Sequence, residues 1–549
     1  MAFLTVTMFA ACESLTDINE NPNGVSPTKG NVNLMLPGII TKTSYEYTEV
    51  EDSYTGGLMQ HMQKDGWFTE YNSYLWYARD WDSWYEILTN VQLLIENSEE
   101  EGLPFHEGIG YLYRGFLFGN ITDLWGEAPY SEALEGGSGI VQPKFDTQED
   151  IYRGVLDDLE KAAELFAQGN TVGMLSSNDL LFHGDIQKWH QYANTLRLRY
   201  AMRLSEKLPD LAEEVISSVF SSNVFMKDVR DDANVEYLGN TKDDSWSIAL
   251  KYDSDGGSNF RRRKPAQTLI DKLRDLNDPR LYVWVDSVHV QWVEDKTLSV
   301  KYEDFVRKDG IQQSYLSMSD LEYKEEINKG HKFTRRFNPD LIELDASLYV
   351  GLPTALTTPS AHNENPTPGQ SVQNQHVSQL AEIYREASGG VLKRRMATSA
   401  ETYFILAEAA LKGWIQESIE TLFKKAIENS FGTWGISDEY SSYVNSLNTS
   451  NPTIEDVIEQ KWISGWTHSV EAWMDYRRLG LPNLQTGPDA DEAALPIRFI
   501  YGDKELAGNK KNIDASISRG LEETTYSKVR GKNSQWSKPW LLQGTGKPW

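Results

Sequence analysis

The sequence predicts a mostly α-helical scaffold with long, loop-rich insertions and little β structure. Three observations carry this: apolar residues recur at helical spacing over long windows, capping and glycine signals bound those windows, and one hairpin alternates small and bulky residues. Residues 107–122 put Ile109, Leu112, Tyr113, Phe116 and Leu117 on one stripe. At 147–168 a capping signature, Thr147 three residues before Asp150, opens a run through Ile151, Val155, Leu156, Leu159, Ala162, Ala163 and Phe166. Residues 188–208 form a long helix with Tyr192, Leu196, Tyr200 and Leu204 at i, i+4 spacing, and 454–476 read as helical over much of their length. Residues 398–412 and 417–430 make a helical hairpin around Gly413. There Ala407, Ala410, Ile419, Phe423 and Ala426 fall where tetratricopeptide pairs place small and bulky side chains. The repeat does not recur cleanly elsewhere, so any further units are separated by insertions.

The single cysteine, Cys12, follows a short apolar run, and Ala10 and Ala11 stand directly before it. Such a run has the length of a signal-peptide core and is too short to span a bilayer. Small residues before a lone cysteine match the bacterial lipobox, in which the thiol is acylated and the peptide is cut in front of it. The run departs from the usual leader in having no Lys or Arg ahead of it. Residues 1–11 thus read as a signal peptide and 12–29, rich in Asn, Pro and Gly, as lipidated cysteine and flexible tether. Residues 30–549 read as one helical domain with ligand-binding insertions.

A net charge of −28 excludes nucleic acid and anionic membrane surfaces as natural partners, because both require basic patches. It also disfavours strongly acidic polysaccharides unless a local basic patch overrides it. The longest basic run, Arg261 to Lys264, reads as a solvated turn rather than a ligand-binding site. Seventeen Trp and 27 Tyr exceed what core filling asks of a chain with mean hydropathy −0.52. They are densest at 66–84. Trp81, Trp84 and Tyr85 lead into a helix at 87–95 and read as core. Trp67, Tyr71, Tyr74 and Trp76 lie among short polar residues and read as candidate stacking platforms for sugar faces. Tyr252, Trp284 and Trp292, in the middle insertions, are second candidates. The strand-like alternation at 282–302 and the Pro/Thr/Asn/Ser-rich segment at 353–375 complete the insertions.

Catalytic signatures are missing from the sequence. The nine His are scattered; there is no His-Glu-x-x-His, Cys-x-x-Cys, Gly-x-Ser-x-Gly, phosphate loop or dinucleotide fingerprint. Asp253 and Asp255 before Gly256 begin a calcium-loop pattern that lacks its closing Glu, so no metal and no cofactor is assigned.

Five ordered stretches then bear on family. They are Cys12 with Asp17-Ile18-Asn19-Glu20-Asn21-Pro22-Asn23; Arg114-Gly115-Phe116 running on to Asp123, Trp125, Gly126 and Tyr130; and 179–189 with Ala193-Asn194-Thr195-Leu196-Arg197. The last two are Ala400-Glu401-Thr402-Tyr403 through Ala410, and Gln460-Lys461-Trp462 with 471–478 and Leu495-Pro496-Ile497-Arg498. Together they resemble the SusD/RagB family of nutrient-binding outer-membrane lipoproteins nearly end to end. The resemblance implies four tetratricopeptide-like helix pairs. It also implies a lipid-anchored position on the cell-surface face of an outer membrane and a SusC-type TonB-dependent transporter as partner. The implied function is non-catalytic capture of oligosaccharide, with a neutral glucan suggested by the Trp richness and the shortage of basic patches. A peptide-binding lid is the rival among binders, and a helical glycoside hydrolase the rival among enzymes. Asp123, Trp125, Glu408, Asp475 and Arg477 are read as fold-holding residues; the ligand loops are the family's least shared part, so no binding residue is carried over.

Overall fold

The computed structural model describes residues 30–253, 256–313, 318–365, 374–447 and 450–549. Cys12, the tether and Asp255 lie outside them. Helix α1 (Val32–Val50) begins where the Asn31 side chain accepts from the Asn33 amide. It runs straight into a single π-helical turn, Glu51–Thr55. Helix α2 (Asp82–Glu101) stops at Gly102, whose φ of +66° supplies the left-handed cap. Helix α3 (Pro104–Trp125) starts on proline and is buried on nearly every side. Helix α4 (Gln148–Ala167) has the expected cap, with Thr147 Oγ1 accepting from the Asp150 amide at 3.2 Å. Then come α5 (Ile186–Arg203), capped by Asp185, α6 (Pro209–Ser222), and the hairpin α7 (Ser399–Leu411) and α8 (Ile419–Thr433).

The helices pack as tetratricopeptide-like hairpins, α1 on α2, α3 on α4, α5 on α6 and α7 on α8, and neighbouring pairs also touch. Close approach of α3 to α5 depends on Gly119: a Cβ there would meet the Tyr200 ring at 2.4 Å. In the α7/α8 hairpin, the Phe404 and Phe423 rings meet edge-on at 6.3 Å beside Ala407 and Ala426, as the spacing predicts.

The expected helix over 454–476 is two helices, α9 (Ile454–Ser464) and α10 (Val470–Leu479). The break falls at Gly465 and at Thr467, with φ +64°, and frees the Ser469 amide for a partner outside the helix. The alternation at 282–302 is only partly strand. Arg280–Trp284 is a helical turn, and β4 (Gln291–Glu294) joins a four-stranded sheet with β5 (Arg307–Lys308), β6 (Ile311–Gln312) and β7 (Phe333–Phe337). Elsewhere β1 (Met62–Lys64) pairs with β3 (Arg263–Pro265), and β2 (Ala233–Glu236) with β8 (Lys393–Ala397). The basic run is therefore not a solvated turn. Pairing with β1 draws Arg263 and Lys264 inward, where Asp52 and Asp65 face them.

A buried ionic web ties the hairpins together. Arg199 on α5 grips Glu401 on α7 at 2.7 Å through two nitrogens. One turn on, Arg203 reaches Asp123 on α3 at 3.2 Å and Glu471 on α10 at 2.7 Å. Arg477 donates to the Asp123 carbonyl, and Arg478 clasps Glu408 and, at 3.1 Å, Asp475, which also pairs with Lys461 at 2.7 Å. The buried Trp125 indole donates to the Arg79 carbonyl at 3.0 Å. Asp123, Trp125, Glu408, Asp475 and Arg477 thus hold the fold together. Losing one partner of such a web strands a charge away from water. Glu408→Ala is accordingly expected to destabilise the chain by about 3–5 kcal/mol in denaturant unfolding, and a loss below about 1 kcal/mol would contradict this.

Burial also keeps several imidazoles neutral: it pushes His61, His289, His376 and His468 down to about 3. The unfolded chain protonates its His near pH 6.5, so it binds more protons than the fold below that pH. The His contribution to stability is therefore lost as pH falls from about 6.5 toward 3. Raised carboxylates, Glu51 and Asp232 at about 7, act in the opposite sense, since the fold holds protons there that the unfolded chain has released. His61→Gln should flatten the decline in unfolding free energy on the acid side; an unchanged slope would show that His61 is not neutral in the fold.

Candidate functional site

The aromatic segment after β1 contributes one outward ring. Asn72 pins the end of the strand, its Oδ1 accepting from the Lys64 amide at 2.9 Å and its Nδ2 donating to the Lys64 carbonyl at 2.7 Å. The Asp65 amide bonds the Arg262 carbonyl across the ladder, and the chain then turns through Gly66. Trp67 follows with φ +53°, a left-handed conformation that costs a bulky residue roughly 1–3 kcal/mol, and its side chain stands 72% exposed. The strained backbone thus carries the indole into water.

Beneath this indole lies a cleft of about 490 Å³, walled by Lys64, Ser247, Ile248, Asn259, Arg262 and Arg263. Ser247 and Arg263 also border a smaller hollow of about 130 Å³ lined by Tyr45, Glu49, Asp52, Tyr237 and Trp246. Tyr45 and Arg394 in turn border a third of about 570 Å³ between α1 and α2. The shared wall residues set the three hollows side by side, together called the groove, with Trp67 on the first and Tyr45, 46% exposed, on the other two.

The groove owes its shape to the π-turn. Glu51 points inward, where its Oε2 accepts from the Ser469 amide at 2.7 Å, the Ser469 hydroxyl and the Thr55 hydroxyl. Burial raises this carboxyl to about 7 against those hydrogen bonds. The next residue, Asp52, points to the groove and takes both Arg263 Nη atoms at 2.6 and 2.7 Å, with the Ser247 hydroxyl at 2.8 Å. Burial works to raise Asp52, but Arg263 prevails and holds it below the usual carboxylate range. Lys64, opposite Arg263 in the β1–β3 register, lies 4.2 Å over the Tyr71 ring; burial and the neighbouring guanidinium push it down to about 8. The groove thus offers flat rings, a hydroxyl and an amide for sugar rims, and cations for negative groups.

Of the rings expected to stack on ligand, Trp67 lies in the cleft and Tyr252 is half-buried, its hydroxyl donating to the Gly239 carbonyl at 3.1 Å. The other five are core residues, and the expectation is corrected for each. Tyr71 lies beneath Lys64, and Tyr74 is fully buried. Trp76 is boxed in by Tyr54, Trp473 and Phe499 at 5.2–5.7 Å. Trp284 stacks on Trp466 at 5.3 Å, and Trp292 stacks on His376 at 4.2 Å beneath Arg335. Each has its faces covered by protein, so none can take a sugar. Tyr45, Asp52, Lys64 and Arg394 went unnoticed in the sequence, and Arg263 was noticed only as part of a basic run read as a solvated turn. An exposed Tyr inside a helix stripe and charges scattered over three distant segments give no local signal. Among the described residues no group of three or more His, Cys, Asp or Glu is placed to hold a metal, and no helix is long and apolar enough to cross a membrane.

Residues 22–335 and 347–502 match a SusD-like family model described as "Starch-binding associating with outer membrane". No curated protein matches the chain. Among solved structures, a chitin-binding protein is similar with a TM-score of 0.68 at 24% identity, over 94% of this chain and 99% of that one. A SusD homologue from Bacteroides fragilis NCTC 9343 gives 0.69 at 21% identity, over 93% and 100%. A chitin-binding SusD homologue from Flavobacterium johnsoniae gives 0.64 at 18%, over 94% and 99%. At these identities the structures speak for the fold, and the family model, which spans most of the sequence, speaks for descent: the chain belongs to the SusD-like family of outer-membrane-associated nutrient-binding proteins.

Proposed function

We propose that this protein is a non-catalytic, cell-surface glycan-binding lipoprotein that captures oligosaccharides in the groove under Trp67. In this reading it delivers them to a SusC-type TonB-dependent transporter. The observation that carries the reading is Trp67 itself: a strained, outward indole at the mouth of a groove whose walls supply hydroxyl, amide and charged partners. An apolar face with polar groups at its rim suits the C–H face and hydroxyl edge of a pyranose. Membership of a family described as starch-binding, and two structural neighbours described as chitin-binding, support a glycan over a peptide. Asp52 is saturated by Arg263 and Ser247, an arrangement suited to shaping a wall rather than to delivering a proton. Residues 1–11 serve as signal peptide, Cys12 as the acylated residue and 13–29 as the tether to the membrane.

Trp67→Ala should weaken binding of a captured polysaccharide by about 1–3 kcal/mol in titration calorimetry while leaving the unfolding midpoint nearly unchanged. Unchanged affinity would remove the groove as the binding site. Growth of reducing ends on incubation with that polysaccharide would overturn the non-catalytic reading. In cells, Cys12→Ala should move the chain from the membrane fraction to the soluble one, and retention in membranes would contradict the lipid anchor.

A further inference from the structure

The charge of the cleft runs against that of the molecule. The chain carries −28, yet Lys64, Arg262 and Arg263 all face the space beneath Trp67. Lys64 and Arg263 are direct partners in the antiparallel β1–β3 register, which sets two like charges side by side, an arrangement that costs free energy unless each is countered. Arg263 is countered, with both Nη atoms on Asp52. Asp52 is in turn filled by Arg263 and Ser247, and with Glu49 and Glu70 it acts on Lys64 only beyond ion-pair distance. Among the described residues no carboxylate stands within ion-pair distance of Lys64 Nζ, which lies 4.2 Å over the Tyr71 ring. Partial burial removes much of the water that would otherwise screen it. A half-desolvated cation with no carboxylate in contact, beside a free indole, is half of a recognition pair.

We propose that the groove selects an anionic oligosaccharide, one sugar face lying on Trp67 while an acidic substituent of the glycan, a carboxylate or a sulfate ester, pairs with Lys64. This rests on the glycan-binding reading and sharpens it. The neutral-glucan expectation leaned on a shortage of basic patches, and folding supplies such a patch by bringing 62–64 against 263–265. A charge-assisted pair in a partly dry cleft discriminates more strongly than one on open surface.

The test is calorimetric titration of the full chain with oligogalacturonate and with the same oligomer after carboxyl reduction. Sulfated and desulfated chondroitin oligosaccharides separate sulfate from carboxylate as the anion. The acidic oligomer should bind about tenfold or more tightly than its reduced counterpart, or sulfated chondroitin than desulfated. Lys64→Gln should abolish that preference, Lys64→Arg should retain it, and Trp67→Ala should weaken acidic and neutral forms alike. Equal affinity for acidic and neutral oligomers, with both still weakened by Trp67→Ala, would overturn the anionic assignment and leave glycan capture standing. Binding of no oligosaccharide would overturn both. Lys64-dependent binding of oligoglutamate in place of any glycan would overturn both in favour of an acidic peptide.

Discussion

The structure depends on charges that water never reaches. Arg199, Arg203, Arg477 and Arg478 sit among Asp123, Glu401, Glu408, Glu471 and Asp475, and together they link α3, α5, α7 and α10. Burying ions is expensive, so such a web tolerates few alternative packings: each guanidinium must find its carboxylates or the helix carrying it cannot dock. Apolar helix faces would slide over one another at small cost, whereas a bidentate Arg–Glu pair fixes both register and rotation.

This web reaches the groove through α10. Glu471, one of its acids, accepts from the Tyr47 hydroxyl on α1 at 3.3 Å, and two residues earlier Ser469 is bound by Glu51. The break between α9 and α10 exists so that the Ser469 amide can face outward from the helix start. The π-turn at 51–55 supplies the extra residue that lets Glu51 look inward and Asp52 look outward. Asp52 then sets Arg263, Arg263 sets β3, and β3 sets β1 and the turn that lifts Trp67. A surface ring is thus held by a chain of contacts that ends in the core, as a site that must keep its shape on a rigid scaffold requires.

Much of the scaffold was legible in the sequence because its signals are local. The stripe at 107–122 and the Thr147 cap belong to segments that decide their own conformation, and α3 and α4 form where they predict. The break in 454–476 was not legible, since a distant acid rather than the local pattern draws out the Ser469 amide. Of the candidate site, only Trp67 was singled out correctly as an exposed ring. Aromatic density cannot separate core from surface, because an indole suits both: Trp76 and Trp67 lie in one segment, one boxed by three rings and the other in water. The basic run holding Arg262 and Arg263 was visible but misread as a solvated turn, because the Arg263–Asp52 pair that draws it inward joins residues 211 apart in sequence.

The central claim is that sugar meets the protein at Trp67, inside the groove that runs from β1 and β3 toward α1. A crystal structure of the chain with a bound oligosaccharide tests it most directly. A pyranose ring should lie flat on the Trp67 indole, with its substituents directed toward Lys64, Ser247 and Asn259. An oligosaccharide seated elsewhere, with Trp67 left bare to solvent, would contradict it.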